Sequence, residues 1–366
     1  MEQLICIGCG VEIQTEDRNK EGYAPPSSLE REDVICQRCF RLRNYNEIAP
    51  VSLTSDDFLA ILNDISTRDG LLVMVVDVFD FNGSWINGLP RFAGKKPILL
   101  VGNKVDVLPK AVRRNRLVHW MKKESRALGL QPVDVSLISA ETGEGVEETM
   151  ALIDKYRNGK DVFVVGSTNV GKSTFINRVI QNATGVGHVI TTSHFPGTTL
   201  GLVEIPLDDG RHLIDTPGIM NDHQMVHKLE AKDLNLVLPK KELKPKVYQL
   251  NPEQTIFIGG MARFDYLQGH RTAFTFYASN RIELHRTKLE KADELYENHK
   301  GGLLAPPTGD LPEGFNEWTR HEWSVKDEPV DIVISGLGWI HVQEPGVVVA
   351  VHVPKGISVM LRSSII

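Results

Sequence analysis

Residues 161–173 read Asp-Val-Phe-Val-Val-Gly-Ser-Thr-Asn-Val-Gly-Lys-Ser, and this stretch decides the fold. Asp161 to Val165 is a short apolar run of strand type. It enters G-x-x-x-x-G-K-S, Gly166 to Ser173, and continues as Thr174-Phe-Ile-Asn-Arg-Val-Ile, which has a helical pattern. Strand, glycine-rich turn and helix in that order make a phosphate loop. Its glycines let backbone amides turn inward around an anion. The segment Gly166, Asn169, Val170, Gly171, Lys172, Ser173 and Thr174 is expected to hold the phosphates of a nucleotide. Lys172 would reach the β- and γ-phosphates, and the Ser173 hydroxyl would bind magnesium.

Downstream, His212-Leu-Ile-Asp215-Thr-Pro-Gly218 is an apolar strand ending in an acidic residue. Asp215 suits the magnesium, and the Gly218 amide would meet the γ-phosphate. Between the two motifs lies Phe195-Pro-Gly-Thr198-Thr199-Leu, where Thr199 is favoured over Thr198 to close on magnesium.

Ahead of the phosphate loop, Lys96 to Gly102 reads as a buried strand that ends in Asn103-Lys104-Val105-Asp106. The Asp106 carboxylate can accept hydrogen bonds from guanine N1–H and its exocyclic amine. Adenine has no such donor pair, so it leaves the carboxylate unpaired and is rejected. Asn103 braces this loop, and the Lys104 stem lies against the base. Ser139-Ala140-Glu-Thr-Gly143 follows another short strand, Val133 to Ile138, and the Ala140 amide would contact the guanine carbonyl.

Together these motifs resemble a Ras-like P-loop GTPase, but with the base loop first and the phosphate loop after it. That order is a circular permutation, tolerated because the termini of compact α/β domains often lie close together. The joint is expected to be a helix from Val146 to Arg157.

The cysteine distribution narrows the resemblance. The four cysteines, Cys6, Cys9, Cys36 and Cys39, form two C-x-x-C pairs within the first 39 residues. Four thiolates so paired suit one tetrahedral, closed structural zinc. The polar stretch Thr15 to Arg31 has little apolar content, so the metal is expected to stabilise the module. Arg38 lies within the second pair and Arg41 and Arg43 follow it, and two readings stand for them: contacts to RNA phosphates, or a solvated helix face. A permuted GTPase behind a four-cysteine module resembles the YqeH family, bacterial ribosome-assembly GTPases with organellar relatives. That resemblance implies assembly of the small (30S) ribosomal subunit through contact with rRNA or a ribosomal protein. The alternative is a GTP-regulated RNA- or protein-binding factor with another target.

Two positions refine the chemistry. Where Ras-like enzymes carry a water-positioning Gln after the second-switch glycine, this chain has Ile219, so slow intrinsic hydrolysis is expected. Asn169 is the residue type with which similar GTPases hold a potassium ion beside the phosphates; otherwise it only shapes the loop. Lys172, Thr199, Gly218 and Asn169 are thus the candidate catalytic residues. Intact Lys172, Ser173 and Asp215 oppose a vestigial site, and guanine selectivity with two switch loops opposes a metabolic kinase.

The expected fold class is α/β: a circularly permuted Ras-like GTPase domain with an N-terminal zinc finger and a C-terminal α+β domain. The expected domains are 1–48, 49–222 and 223–366. The C-terminal strands are expected at Thr255–Gly260, Thr272–Ala278, Pro329–Ile334, Trp339–Val342 and Gly346–Val353, with a helix over Lys288–His299. The 366 residues carry 41% hydrophobic and 24% charged side chains and a net charge of −6. Such a chain is not a basic nucleic-acid coat, and no DNA partner is expected. RNA contact would have to come from local patches such as Lys240, Lys241, Lys244 and Lys246, which otherwise form a solvated loop. No apolar run is long enough to span a membrane, and no secretion signal opens the chain. A cytoplasmic location is expected.

Overall fold

The structure is a computed structural model. It describes residues 55–184 and 203–366, and at the N-terminus residues 4, 6, 11–17, 20, 22–29, 34, 36 and 37. The described chain divides into two compact units. One comprises Met1–Val75, Ile86–Asn103 and Ser125–Ile219; the other comprises Val76–Trp85, Lys104–Glu124 and Met220–Ile366.

The first unit is built on a six-stranded sheet. Its strands are β1 (Gly70–Asp77), β2 (Ile98–Asn103), β3 (Asp134–Leu137), β4 (Asp161–Gly166), β5 (Val203–Pro206) and β6 (His212–Asp215), in the spatial order β3-β2-β1-β4-β6-β5. β1 with β4, β2 with β3 and β4 with β6 are parallel; β5 runs antiparallel to β6. β1 and β2 are buried along their whole length. A parallel sheet covered on both faces needs such continuous apolar runs, here Leu-Leu-Val-Met-Val-Val and Ile-Leu-Leu-Val.

The helices in chain order are α1 (Ser55–Thr67), α2 (Leu89–Ala93), α3 (Arg114–Ala127), α4 (Val146–Arg157) and α5 (Lys172–Thr184). α4 is the predicted joint, with the predicted bounds. It ends at Asn158 and Gly159, both at positive φ, and the chain then re-enters the sheet as β4. The core packs Val146 and Ile153 of α4 and Phe175 and Ile176 of α5 against Val73, Val75, Val162 and Val164. The phosphate-loop strand β4 therefore lies in the middle of the sheet, although the base-loop strand β2 precedes it in the chain. That topology is a circularly permuted P-loop fold.

In the second unit, residues 246–363 form two five-stranded sheets. The first contains β7 (Lys246–Leu250), β10 (Thr272–Ala278), β13 (Val330–Ile334), β14 (Gly338–Val342) and β16 (Val359–Ser363), in the order β16-β13-β14-β10-β7. The second contains β8 (Gln254–Ile258), β9 (Ala262–Gln268), β11 (Leu284–Lys288), β12 (Trp318–Val325) and β15 (Val347–Pro354), in the order β11-β8-β9-β15-β12. Their inward residues, among them Phe264, Tyr266, Phe274, Phe276 and Ile340, form one core. Two short helices, α6 (Ala231–Val237) and α7 (Ala292–His299), accompany them. The α+β expectation is met by a domain in which strands dominate. The predicted helix over Lys288–His299 splits into the end of β11, one 3-10 turn and α7.

Candidate nucleotide site

The phosphate loop is set by backbone geometry. Gly166 lies at the crowded exit of β4, where an added Cβ would approach the Val75 carbonyl oxygen to 2.9 Å. Asn169 and Gly171 both adopt positive φ, 64° and 84°, which turns the chain back on itself before α5 begins at Lys172. A helix N-terminus behind a loop of this shape attracts phosphate. Val170 is buried, Asn169 is exposed, and Ser173 and Thr174 lie half-buried on the first turn of α5.

Lys172 is buried, and its Nζ donates to Asp215 Oδ1 and to the Thr216 carbonyl. Burial pushes the Asp215 carboxyl up, and the Lys172 ammonium works the other way. The end of β6 is thus held beside the phosphate loop by charge. Backbone pairing holds the next residues there as well: Thr168 N–H donates to the Ile219 carbonyl at 2.7 Å, and Ile219 N–H to the Gly166 carbonyl at 3.2 Å. This leaves Gly218 against Thr168, and a Cβ on Gly218 would already sit 3.4 Å from the Thr168 methyl group. Ser173 and Asp215 offer hard oxygen donors, and Asp215 already balances a cation, so the donor set fits magnesium. Thr199, the third predicted magnesium ligand, and Thr198 lie outside the described residues.

Asn103 knits three motifs together. Its Nδ2 donates to the Val170 carbonyl at 2.8 Å, and its Oδ1 accepts from Ala140 N–H at 2.9 Å. All three residues are buried. The Ala140 amide, predicted to meet a guanine carbonyl, is therefore donated to Asn103 in this conformation. Ser139 closes the same turn: its Oγ accepts from Thr142 N–H at 3.1 Å, and its carbonyl from Gly143 N–H at 2.8 Å. Sequence reading missed Arg178, on the outer part of α5, which donates to the carbonyls of Ala140 and Glu141 at 3.2 and 2.5 Å. No motif marks this arginine; only the fold brings its helix to that turn.

In the second unit Lys104 sits at positive φ (69°), and its Nζ pairs with Asp77 Oδ2 at 2.6 Å. Asp77, at the end of β1, was likewise missed. The cue was present in an apolar run that stops at an acidic residue. Asp106 lines a concave surface of about 570 Å³ together with Lys110, Arg113, Arg114 and Glu242. Leu243 is buried, and its N–H donates to the Val107 carbonyl at 2.9 Å.

Of the predicted zinc ligands, Cys6 and Cys36 are described. Both are buried, and Cys36 N–H donates to Cys6 Sγ at 3.2 Å, so one cysteine from each C-x-x-C pair meets the other. A backbone N–H donated to a cysteine sulfur is the kind of outer contact that supports a metal ligand. Among the described residues no group of three or more His, Cys, Asp or Glu side chains is arranged to hold a metal ion. Cys9 and Cys39 lie outside those residues, as do Arg38, Arg41 and Arg43. No described helix is long and apolar enough to cross a membrane.

Known proteins match this sequence. Residues 161–255 match a family described as "50S ribosome-binding GTPase", and residues 271–365 match "YqeH-like, C-terminal". The first match begins at β4, the strand that feeds the phosphate loop. The chain is 59% identical to the uncharacterized protein YqeH of Bacillus subtilis, over 100% of both chains. It is 29% identical to the chloroplastic/mitochondrial NO-associated protein 1 of Arabidopsis thaliana, over 98% of this chain and 76% of that one. It is 34% identical to the small ribosomal subunit biogenesis GTPase RsgA of Porphyromonas gingivalis, over 59% of this chain and 63% of that one. With its phosphate loop, its permuted strand order and full-length identity of this degree, the chain belongs to the YqeH family of circularly permuted P-loop GTPases.

Proposed function

We propose that the protein is a GTP-hydrolysing switch in assembly of the small (30S) ribosomal subunit, working in the cytoplasm. The zinc module and the C-terminal domain would contact rRNA or a ribosomal protein. The observation that carries the nucleotide part is Asn103, whose side chain joins the base loop, the phosphate loop and the Ser139-Ala140 turn. In this reading Lys172 holds the β- and γ-phosphates, Ser173, Thr199 and Asp215 hold magnesium, and Asp106 reads guanine. Magnesium would supply charge neutralisation at the phosphates. Lys172→Ala should abolish GTP binding; unchanged affinity would remove the phosphate-loop assignment.

The ribosomal part is supported by the RsgA relative, whose name specifies the small subunit. The matched GTPase family carries the other subunit in its description, so the subunit itself is the thing to test. Cofractionation with ribosomal subunits, in GDP and in a GTP analogue, does so. Comigration with the small subunit in the analogue is the expected result. Comigration with the large subunit, or with neither, overturns it; the latter leaves a GTP-regulated factor with a different target.

Three finer features complete the proposal. Hydrolysis is slow without a partner, because Ile219 offers no side-chain hydrogen bond to a water. Potassium binds beside Asn169 and offsets transition-state charge. Cys6, Cys9, Cys36 and Cys39 bind one structural zinc. The division at residues 48 and 222 is retained as a proposal on the same footing.

A further inference from the structure

The turn after β1, residues 77–84, is tied at both ends. Asp77 Oδ2 pairs with Lys104 of the base-reading loop, and Asp77 Oδ1 accepts from Phe79 N–H at 2.9 Å. Asp77 N–H donates to Ser84 Oγ at 3.0 Å, and Ser84 N–H donates to the Asp80 carbonyl at 2.8 Å. The Asp80 carboxylate then leaves the turn altogether. Its Oδ2 accepts from Gln224 Nε2 at 2.6 Å and from Gly336 N–H, between β13 and β14, at 2.8 Å.

The surroundings are built for this carboxylate. Asp80 and Gln224 are both buried. Gly336 has φ +76°, and an added Cβ there would stand 2.8 Å from Met225 N. Met225 N–H donates to the Ser335 carbonyl at 2.8 Å, and Asn221 Nδ2 to the Gly83 carbonyl at 2.7 Å. The segment 221–225, just past the second-switch motif, is therefore sewn both to the turn and to the β13–β14 hairpin. The Asp80 Oδ1 accepts no hydrogen bond among the described residues. The base-reading loop is held from another side too, through Leu243 N–H to the Val107 carbonyl.

We infer that Asp80 is a positioning residue for the guanine-nucleotide site, through which the C-terminal β domain holds Lys104 and the base-reading loop in their binding geometry. The inference rests on the guanine reading of Asp106 proposed above. The route is continuous: hairpin Gly336 and Gln224 to Asp80, Asp80 to Ser84, Ser84 to Asp77, Asp77 to Lys104. Coupling of this kind is reciprocal, so a partner that moves the 334–338 hairpin changes guanine-nucleotide affinity by the factor with which the nucleotide changes its own binding.

The test measures GDP dissociation constants of full-length variants. Asp80→Ala is expected to weaken GDP by about 5- to 10-fold, within the usual range for coupled sites. Asp80→Asn is expected to stay within about 2-fold of the parent, because its amide oxygen accepts the same two hydrogen bonds. In a Lys104→Ala background, Asp80→Ala is expected to add less than about 2-fold, since both act through one path. Gln224→Ala serves as a second disruption should Asp80→Ala fail to fold. Additive effects, or unchanged GDP affinity in both Asp80→Ala and Gln224→Ala, overturn the inference. Failure of the parent protein to bind GDP overturns the nucleotide reading instead.

Discussion

Asn103 Nδ2 and the Val170 carbonyl, 67 positions apart in sequence, meet at 2.8 Å. The permutation has reversed the usual order of these two residues along the chain without removing the bond between their loops. Asn103→Ala would leave that carbonyl and the Ala140 N–H buried without their partner. The expected cost is about 1–3 kcal/mol of stability, together with weaker GDP binding. Denaturant unfolding and a GDP titration check both; a variant as stable as the parent would contradict the bracing role.

Asp106→Asn exchanges a carboxylate for an amide that can donate to the xanthine carbonyl. Preference should move from guanine toward xanthine nucleotides by about 10²-fold or more, as expected where a buried polar pair is mismatched. Competition between GDP and XDP measures it. Full retention of guanine selectivity would remove Asp106 from the base site.

Hydrolysis should run about 10-fold or more faster in potassium than in sodium at equal ionic strength, and Asn169→Ala should erase the difference. Equal rates in the two salts for the parent protein would sink the cation role of Asn169.

Cys6→Ser removes the sulfur that accepts the Cys36 backbone N–H. Metal analysis should find about one zinc per parent chain and a loss of it in the variant. GTP turnover should stay within about 2-fold, because the cysteines are absent from every motif of the nucleotide site. A zinc content unchanged by the substitution would argue against the four-thiolate module.

Asp80 carries a pH signature. Burial lifts its carboxyl to about 6, with Asp77 adding to the rise and Gln224, Gly336 and Arg362 opposing it. Between the ordinary carboxylate range and pH 6 the folded form binds more protons than the unfolded form. Stability from this group is therefore fully present at low pH and falls as pH rises to about 6. Asp331 and Glu124 act on the cluster through Arg362, and Lys104 acts on it through its pair with Asp77. Subtracting the Asp80→Asn unfolding curve from that of the parent isolates the effect. The difference should change between about pH 4 and 6 by up to roughly 3 kcal/mol and stay flat above. A flat difference throughout would show that Asp80 is ionised normally in the fold.

The sequence displayed the nucleotide site wherever chemistry is local. Gly166 to Ser173 declares itself through glycine spacing, and α4 as the helix that carries the chain from the Ser139-Ala140 turn back to the phosphate-loop strand. β1 is an unbroken apolar run that could have been read, but no motif follows it, so its end at Asp77 went unnoticed. Asp80 could not be read at all. Its partner Gly336 lies 256 positions away, and only tertiary structure supplies that distance. In the C-terminal domain the buried strands β10 and β14 were legible from their apolar runs. β12, Trp-Thr-Arg-His-Glu-Trp-Ser-Val, was not, because it is an edge strand with most of its length open to water and needs few apolar residues.

The strand order of the sheet also sets an order in time. β1, β2 and β3 are contiguous in space and are synthesised before β4. In the nascent chain the half that carries the base-reading loop can therefore pair before the phosphate loop has been made, as domains tend to fold from their N-terminal side. β4 then enters as the strand that joins this half to β6. Synthesis of the unpermuted fold begins at the phosphate loop; this chain begins at the base and completes the sheet at the switches.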